Sequence, residues 1–182
     1  MDRAGNARFT LLASYNQWMN RRLYDAAATL SHDALVADRG AFFGSILGTL
    51  NHLVVTDTIW LKRFAAAPDA TAVLAALDDT PMPSALDGIL YPELPPLRER
   101  CEWLDGLILR WVEKLTPAEL SARLTYLNTK GTAFARSVEG LLTHLFNHQT
   151  HHRGQVTTLL SQAGVDVGVT DLLMLVPDES GR

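Results

Sequence analysis

Apolar residues recur at spacings of three and four along four separate stretches of this chain, and that period restricts it to packed helices. In the first stretch, residues 7–30, Phe9, Leu12, Tyr15, Met19, Leu23 and Ala26 follow the spacing. The second, residues 41–67, carries Phe42, Phe43, Ile46, Leu50, Leu53, Trp60 and Phe64. Its apolar set is broad, which predicts burial around much of the helix circumference. The third begins at Pro95 or Pro96 and runs to about residue 115, with Leu97, Cys101, Leu104, Ile108 and Trp111 on one stripe. Proline suits a first helical turn, where its missing N–H had no partner to lose. The fourth, residues 138–162, has Leu141, Leu145, Val156, Leu159 and Leu160, and Gly164 stands where a helix-terminating glycine belongs.

The connections are of different kinds. Ser31-His32-Asp33 offers an N-cap for a short turn of helix that Gly40 ends. Residues 70–77 suit a short helix after Pro68, and Pro81, Pro83, Gly88 and Pro92 make the rest of that segment an irregular crossover. Thr116-Pro117-Ala118-Glu119 has the pattern of a capping box with proline at the first helical position. Between residues 123 and 136 the helical period stops. Leu124–Leu127 and Thr132–Phe134 flank Asn128-Thr129-Lys130-Gly131, as in a small hairpin or extended loop. The tail, 165–182, reads as loop, with residues 172–176 packing on the body. No strand–helix alternation supports a parallel sheet. The expectation is all-α: a single domain over residues 1–182, folded as a four-helix bundle with one long crossover.

Composition bounds the function. With 47% apolar and 20% charged residues the chain can bury one substantial core and is not a disordered sequence. A net charge of −4 argues against nucleic acid as a partner, since that needs concentrated positive charge. The longest uncharged stretch, residues 41–56, is interrupted by Ser45, Asn51 and His52 and is shorter than the ~20 residues of a membrane span. Residues 1–18 have interspersed charges, with Asn16 and Gln17 breaking the apolar run that secretion needs, so a cytoplasmic location is expected. One cysteine, Cys101, excludes an internal disulfide framework. It falls on an apolar stripe with no CxxC partner, which fits core better than nucleophile. Trp18, Trp60, Trp103 and Trp111 suit core or interface anchors, and Asp78-Asp79 a solvated crossover.

Six histidines remain, four of them between residues 144 and 152. At ~100° per residue, His144, His148, His151, His152 and Gln155 share one helix face of roughly 100°. Two imidazoles one turn apart can converge on one ion. His144/His148 and His148/His152 both have i, i+4 spacing and His148/His151 has i, i+3, so spacing alone leaves the pair open. Such a face also suits a solvated surface or an interface. A third ligand has two sources. His32 sits in a polar segment between helices, whereas His52 lies mid-helix among Gly48, Thr49 and Thr56. A buried imidazole needs a partner, and a metal in a bundle core supplies one, which favours His52. Asp57 points about 140° away from His52 on an ideal helix and is not taken as a ligand. Arg153 fits a structural ion pair better than an anion anchor.

The run Asn147-His-Gln-Thr-His-His-Arg-Gly-Gln155 resembles the last-helix signature of the DinB/YfiT-like proteins. Asn51-His52 followed by Trp60 resembles their first histidine motif, and Leu160–Gly164 through Thr170-Asp171-Leu172 fits their tail. The resemblance implies a four-helix bundle with a long crossover, a homodimer, and a divalent metal, nickel or zinc, on His52, His148 and His152. It leaves His144 and His151 as groups supporting the ligands or lying on the surface, and Gln155 is a further candidate to orient a ligand or substrate. Members of the wider superfamily join a low-molecular-weight thiol to a small electrophile or isomerise with a thiol. The implied function is therefore a metal-dependent thiol S-transferase acting on a small molecule. The alternatives are a metal-dependent hydrolase and a non-catalytic dimeric bundle that binds a metal or ligand. With Cys101 on a core stripe, the thiol arrives as a cosubstrate.

Overall fold

A computed structural model describes residues 4–67 and 72–180. Its helices are α1 (Ala4–Ala27), α2 (His32–Val36), α3 (Ile46–Ala65), α4 (Leu94–Val112), α5 (Pro117–Ser121) and α6 (Val138–Gln162). Short 3-10 turns occupy Ala72–Leu77 and Leu172–Leu175. The strands β1 (Arg123–Leu127) and β2 (Ala133–Ser137) pair antiparallel, with Tyr126 opposite Phe134. The fold is the expected all-α bundle with a small hairpin attached.

Helix α1 packs on α4 and α6, and α3 packs on the same two from the opposite side. The four long helices thus enclose one core, to which each contributes fully buried side chains such as Leu23, Leu50, Leu104 and Leu142. In α3 every residue from Ile46 to Leu61 is buried, as its broad apolar set predicts. Burial so complete brings polar side chains inside with the apolar ones, His52 among them. Among the described residues, no helix is long and apolar enough to cross a membrane.

Helix boundaries follow the caps. Ser31, Ser45, Thr116 and Ser137 each accept a hydrogen bond from a backbone N–H in the first turn of α2, α3, α5 and α6, and Thr116 with Glu119 completes the capping box. Helix α3 starts at Ile46, not at residue 41, because Ser45 caps it and residues 41–44 make a tight turn closed by Gly44 N–H donating to the Ala41 carbonyl (2.8 Å). Gly44 has φ 72°, the left-handed conformation that glycine adopts freely. Phe42 and Phe43 therefore leave the apolar stripe: Phe42 is 83% exposed, and Phe43 turns toward the histidines. Residues 68, 70 and 71, expected to end α3 and begin the next short helix, lie outside the described residues, as do 181 and 182 of the tail.

Side chains of α3 hold the crossover between α3 and α4: Lys62 donates to the Leu77 and Thr80 carbonyls, and Asn51 grips Tyr91. The Asn51 carboxamide donates to the Tyr91 carbonyl (2.9 Å) and accepts from the Tyr91 N–H (3.0 Å). It thereby docks an irregular segment onto α3 beside His52.

Candidate metal centre

Helix α3 presents His52 and α6 presents His148 and His152 across the groove between them. One ring nitrogen from each lies within 4.8 Å of the others, and together they could hold a metal ion. The closest approach is His52 Nε2 to His148 Nε2, at 3.2 Å.

Hydrogen bonds on the far side of two rings decide which nitrogens face the centre. His52 Nδ1 lies 2.7 Å from the Leu86 carbonyl oxygen. That oxygen only accepts, so Nδ1 carries the hydrogen and Nε2 is left with a lone pair. His152 Nδ1 lies 2.7 Å from Gln155 Oε1, and the same reasoning turns its Nε2 into a lone-pair donor. Phe43 stacks on the His52 ring (centroids 3.8 Å apart, 19° between planes) and meets His152 edge-on at 5.5 Å. His52 is thus clamped between a carbonyl on one ring edge and an aromatic ring on one face.

Electrostatics keep the cluster neutral. Burial pushes the His148 pKa down to about 3, with His152, His52, His144 and His151 adding repulsion. Burial likewise lowers His52 to about 4, against the opposing pull of the Leu86 carbonyl, and lowers His152. Neutral imidazoles are the ligating form, so at neutral pH the donor set is ready without losing a proton. The His52 Nε2 lone pair faces His148 Nε2 at 3.2 Å, so the two nitrogens share either a hydrogen or a cation, and three imidazole nitrogens this close fit a divalent ion.

The other histidines fall outside this group. His144, one turn before His148, meets it at a centroid distance of 5.8 Å and packs edge-on against Trp60 at 5.2 Å. Burial, Arg136 and Arg63 all depress its pKa. His151 is exposed, edge-on to His152 at 4.8 Å, with its Nε2 3.4 Å from Gln155 Nε2. His32 Nδ1 lies 3.4 Å from Glu93 Oε2 on the exposed surface.

Asp57 lies in the core, 2% exposed, and not in the metal-binding group. Arg153 is buried too, but makes no direct ion pair among the described residues. It donates to Asn16 Oδ1 and to Thr150 Oγ1 (3.3 Å), and Asn16 in turn donates to Asp105 (2.7 Å). Cys101 is buried beside Asp105, and burial holds its thiol well above the ordinary range, as befits a core residue.

Three contributors escape sequence reasoning. Leu86 acts through its backbone carbonyl, so no side chain announces it. Phe43 lies in a turn that its period assigns to a helix. Asn51 is visible only as the neighbour of His52, and its function is to hold the crossover.

A bundle of antiparallel helices with a long crossover, carrying a three-imidazole cluster that could hold a metal between two of them, defines a class of candidate metalloproteins. The DinB family model matches residues 1–179, and the chain belongs to the DinB family. It is similar to Protein DinB of Bacillus subtilis (strain 168), at 27% identity over 163 residues covering 88% of each chain.

Proposed function

We propose that this protein is a divalent-metal-dependent enzyme that joins a low-molecular-weight thiol to a small electrophile. The observation that carries the reading is the convergence of three neutral imidazoles, two of them with their outer nitrogens already engaged. His52, His148 and His152 are the ligands, and nickel or zinc suits the nitrogen donor set. A divalent ion held by His52, His148 and His152 would supply a Lewis acid that favours the thiolate form of a thiol at neutral pH. The protein's own residues do the rest. Leu86 and Gln155 keep the His52 and His152 lone pairs directed inward. Phe43 covers one face of His52 and keeps water from it. His151, exposed beside His152, takes up the proton that the thiol loses. The thiolate sulfur then forms a bond to the electrophilic carbon as the leaving group departs with its electron pair. The family resemblance supports a homodimer, which sedimentation analysis tests.

Metal analysis of untagged protein beside His52→Ala is the primary test. Wild type is expected to hold about one ion per chain and the variant far less; an unchanged ion in the variant would refute the ligand set. A panel of thiols offered with a chlorinated aromatic acceptor then tests turnover. Metal-dependent chloride release that disappears in His148→Ala supports the transferase. Ester hydrolysis without any thiol reaction favours a hydrolase, and neither activity favours a binding protein.

A further inference from the structure

A cavity opens one helical turn from the imidazole cluster. It has a volume of about 440 Å³, within the range of about 300–1,000 Å³ for small-molecule sites, and its walls include Trp60, Tyr126, Arg136 and His144. Four elements build it. Trp60 comes from α3, Tyr126 and Arg136 from the two strands of the hairpin, and His144 from α6. Trp60 meets Tyr126 and His144 edge-on, each at 5.2 Å. Arg63 lies over both the Trp60 and Tyr126 rings, at 4.6 and 4.9 Å, and donates to the Leu127 carbonyl.

The lining is one-sided in its charge. It contains no carboxylate. The Trp60 indole N–H, the Tyr126 hydroxyl and the Arg136 guanidinium donate to no protein acceptor among the described residues, and Arg136 only rests over the Phe134 ring at 5.3 Å. Glu139, the nearest acid in sequence, is engaged by Arg8 at 2.6 Å. Unpaired donors between aromatic walls, with a second cation behind them, call for a ligand that brings negative charge and a flat ring.

We propose that this cavity binds the organic substrate, and that the substrate is a small aromatic anion of about the size of a benzoate, its carboxylate on Arg136 and its ring against Trp60 and Tyr126. His144 forms the shared wall between the cavity and the metal-binding group, since it touches Trp60 on one side and lies 5.8 Å from His148 on the other. The assignment of this ligand as substrate rests on the proposed function; the binding itself does not.

The test is calorimetric titration of the full chain with 4-nitrobenzoate, once after chelation and once loaded with zinc. Saturable binding of one molecule per chain is expected in both states. Arg136→Gln is expected to weaken it by about tenfold or more, and neutral 4-nitrotoluene to bind about tenfold or more weakly, as suits a charge-assisted contact. Arg136 is exposed, so the variant is expected to melt with wild type, which a thermal scan on the same sample establishes. No saturation, or equal affinity in the variant or for the neutral analogue, overturns the proposal. Metal content measured on the same samples separates the two readings. Metal without 4-nitrobenzoate binding sinks the cavity alone, and 4-nitrobenzoate binding to a chain that takes up no zinc when zinc is offered sinks the enzyme alone. Loading with paramagnetic cobalt places the ligand. Faster relaxation of its ring protons than with zinc supports the substrate assignment, and equal relaxation overturns it.

Discussion

Single residues decide whether three imidazoles converge, and one of them has no side chain at all. A Cβ built at Gly48 meets the Phe43 backbone carbonyl, so only glycine lets the preceding turn lie this close to the first turn of α3. That approach puts Phe43 on the His52 ring. Gly48→Ala raises helix propensity by about 1 kcal/mol, but it forces backbone, not a flexible side chain, to move. The steric effect wins, and a net loss of about 1–3 kcal/mol is expected, read from urea unfolding. The same variant is expected to bind zinc more weakly, because Phe43 no longer braces His52. A variant as stable as wild type and unchanged in zinc affinity would show the contact to be unimportant. His144→Ala makes the contrasting case. Its imidazole lies outside the three-histidine group, so metal content is expected to stay near that of wild type. At this scale the sequence carries half of the site. Periodicity puts His144, His148, His151 and His152 on one face and favours His52 as their partner, but it does not choose among them. The choice in space follows from Leu86 O and Gln155 Oε1, and the first is a main-chain atom on a loop that no side-chain pattern reveals.

Among the elements, the crossover contributes most that a helical pattern does not show. The four long helices are legible because their apolar residues repeat every three or four positions, and helix starts are legible where Ser31 marks α2, Thr116 marks α5 or a proline marks α4. The start of α3 is not, since Ala41, Phe42 and Phe43 continue the apolar run while the Gly44 turn breaks the backbone. The hairpin is legible as a change of period around Asn128-Thr129-Lys130-Gly131. Asn128 Oδ1 closes the loop by accepting from the Lys130 and Thr132 N–H groups, both at 2.9 Å. The Pro-rich crossover reads as structureless, yet its backbone enters the site. Asn51 is what converts an irregular loop into a fixed wall, because it matches both the donor and the acceptor of Tyr91. Asn51→Leu leaves a carbonyl and an N–H without partners, at about 1–3 kcal/mol. The crossover is then expected to detach locally while the bundle stays folded. Hydrogen exchange checks this: the Tyr91 amide is expected to exchange at least tenfold faster (about 1.4 kcal/mol of lost protection), with α4 amides unchanged. Uniform acceleration throughout the bundle would instead mean that Asn51 matters only to global stability.

The whole molecule is organised around a buried polar network that spans all four long helices. Asn16 and Asn20 of α1 donate to Asp105 of α4, Arg153 of α6 donates to Asn16, and Asp57 of α3 lies nearby facing Gln149 without a full hydrogen bond. Periodicity does not reveal this network, because a polar residue on a helix reads as surface unless its neighbours in space are known. Its charge behaviour follows from desolvation. Burial pushes the Asp57 pKa up to about 8 and that of Asp105 up to about 6; Asn16, Asn20 and Arg153 restrain the second. A carboxyl whose folded pKa is raised stabilises the fold fully below its unfolded value and loses that contribution as pH rises through the folded one. The histidines act in the opposite sense. His52 and His148 titrate at about 4 and about 3, and His144 and His152 are also lowered, so their contribution is complete above the unfolded value of 6.5 and is lost as pH falls. Between pH 4 and 6.5 the histidines outnumber the two carboxyls and stability rises with pH. Above 6.5 Asp57 alone is still losing its proton, so stability falls toward pH 8. Urea unfolding of the chelated protein is expected to peak near pH 6.5 and to drop by no more than about 2 kcal/mol by pH 8. In Asp57→Asn the amide keeps the size of the protonated acid and has no proton to lose, so the descending limb is expected to vanish while the ascending limb stays. An identical decline in both proteins would assign the alkaline limb to other groups and leave Asp57 ionised in the folded core.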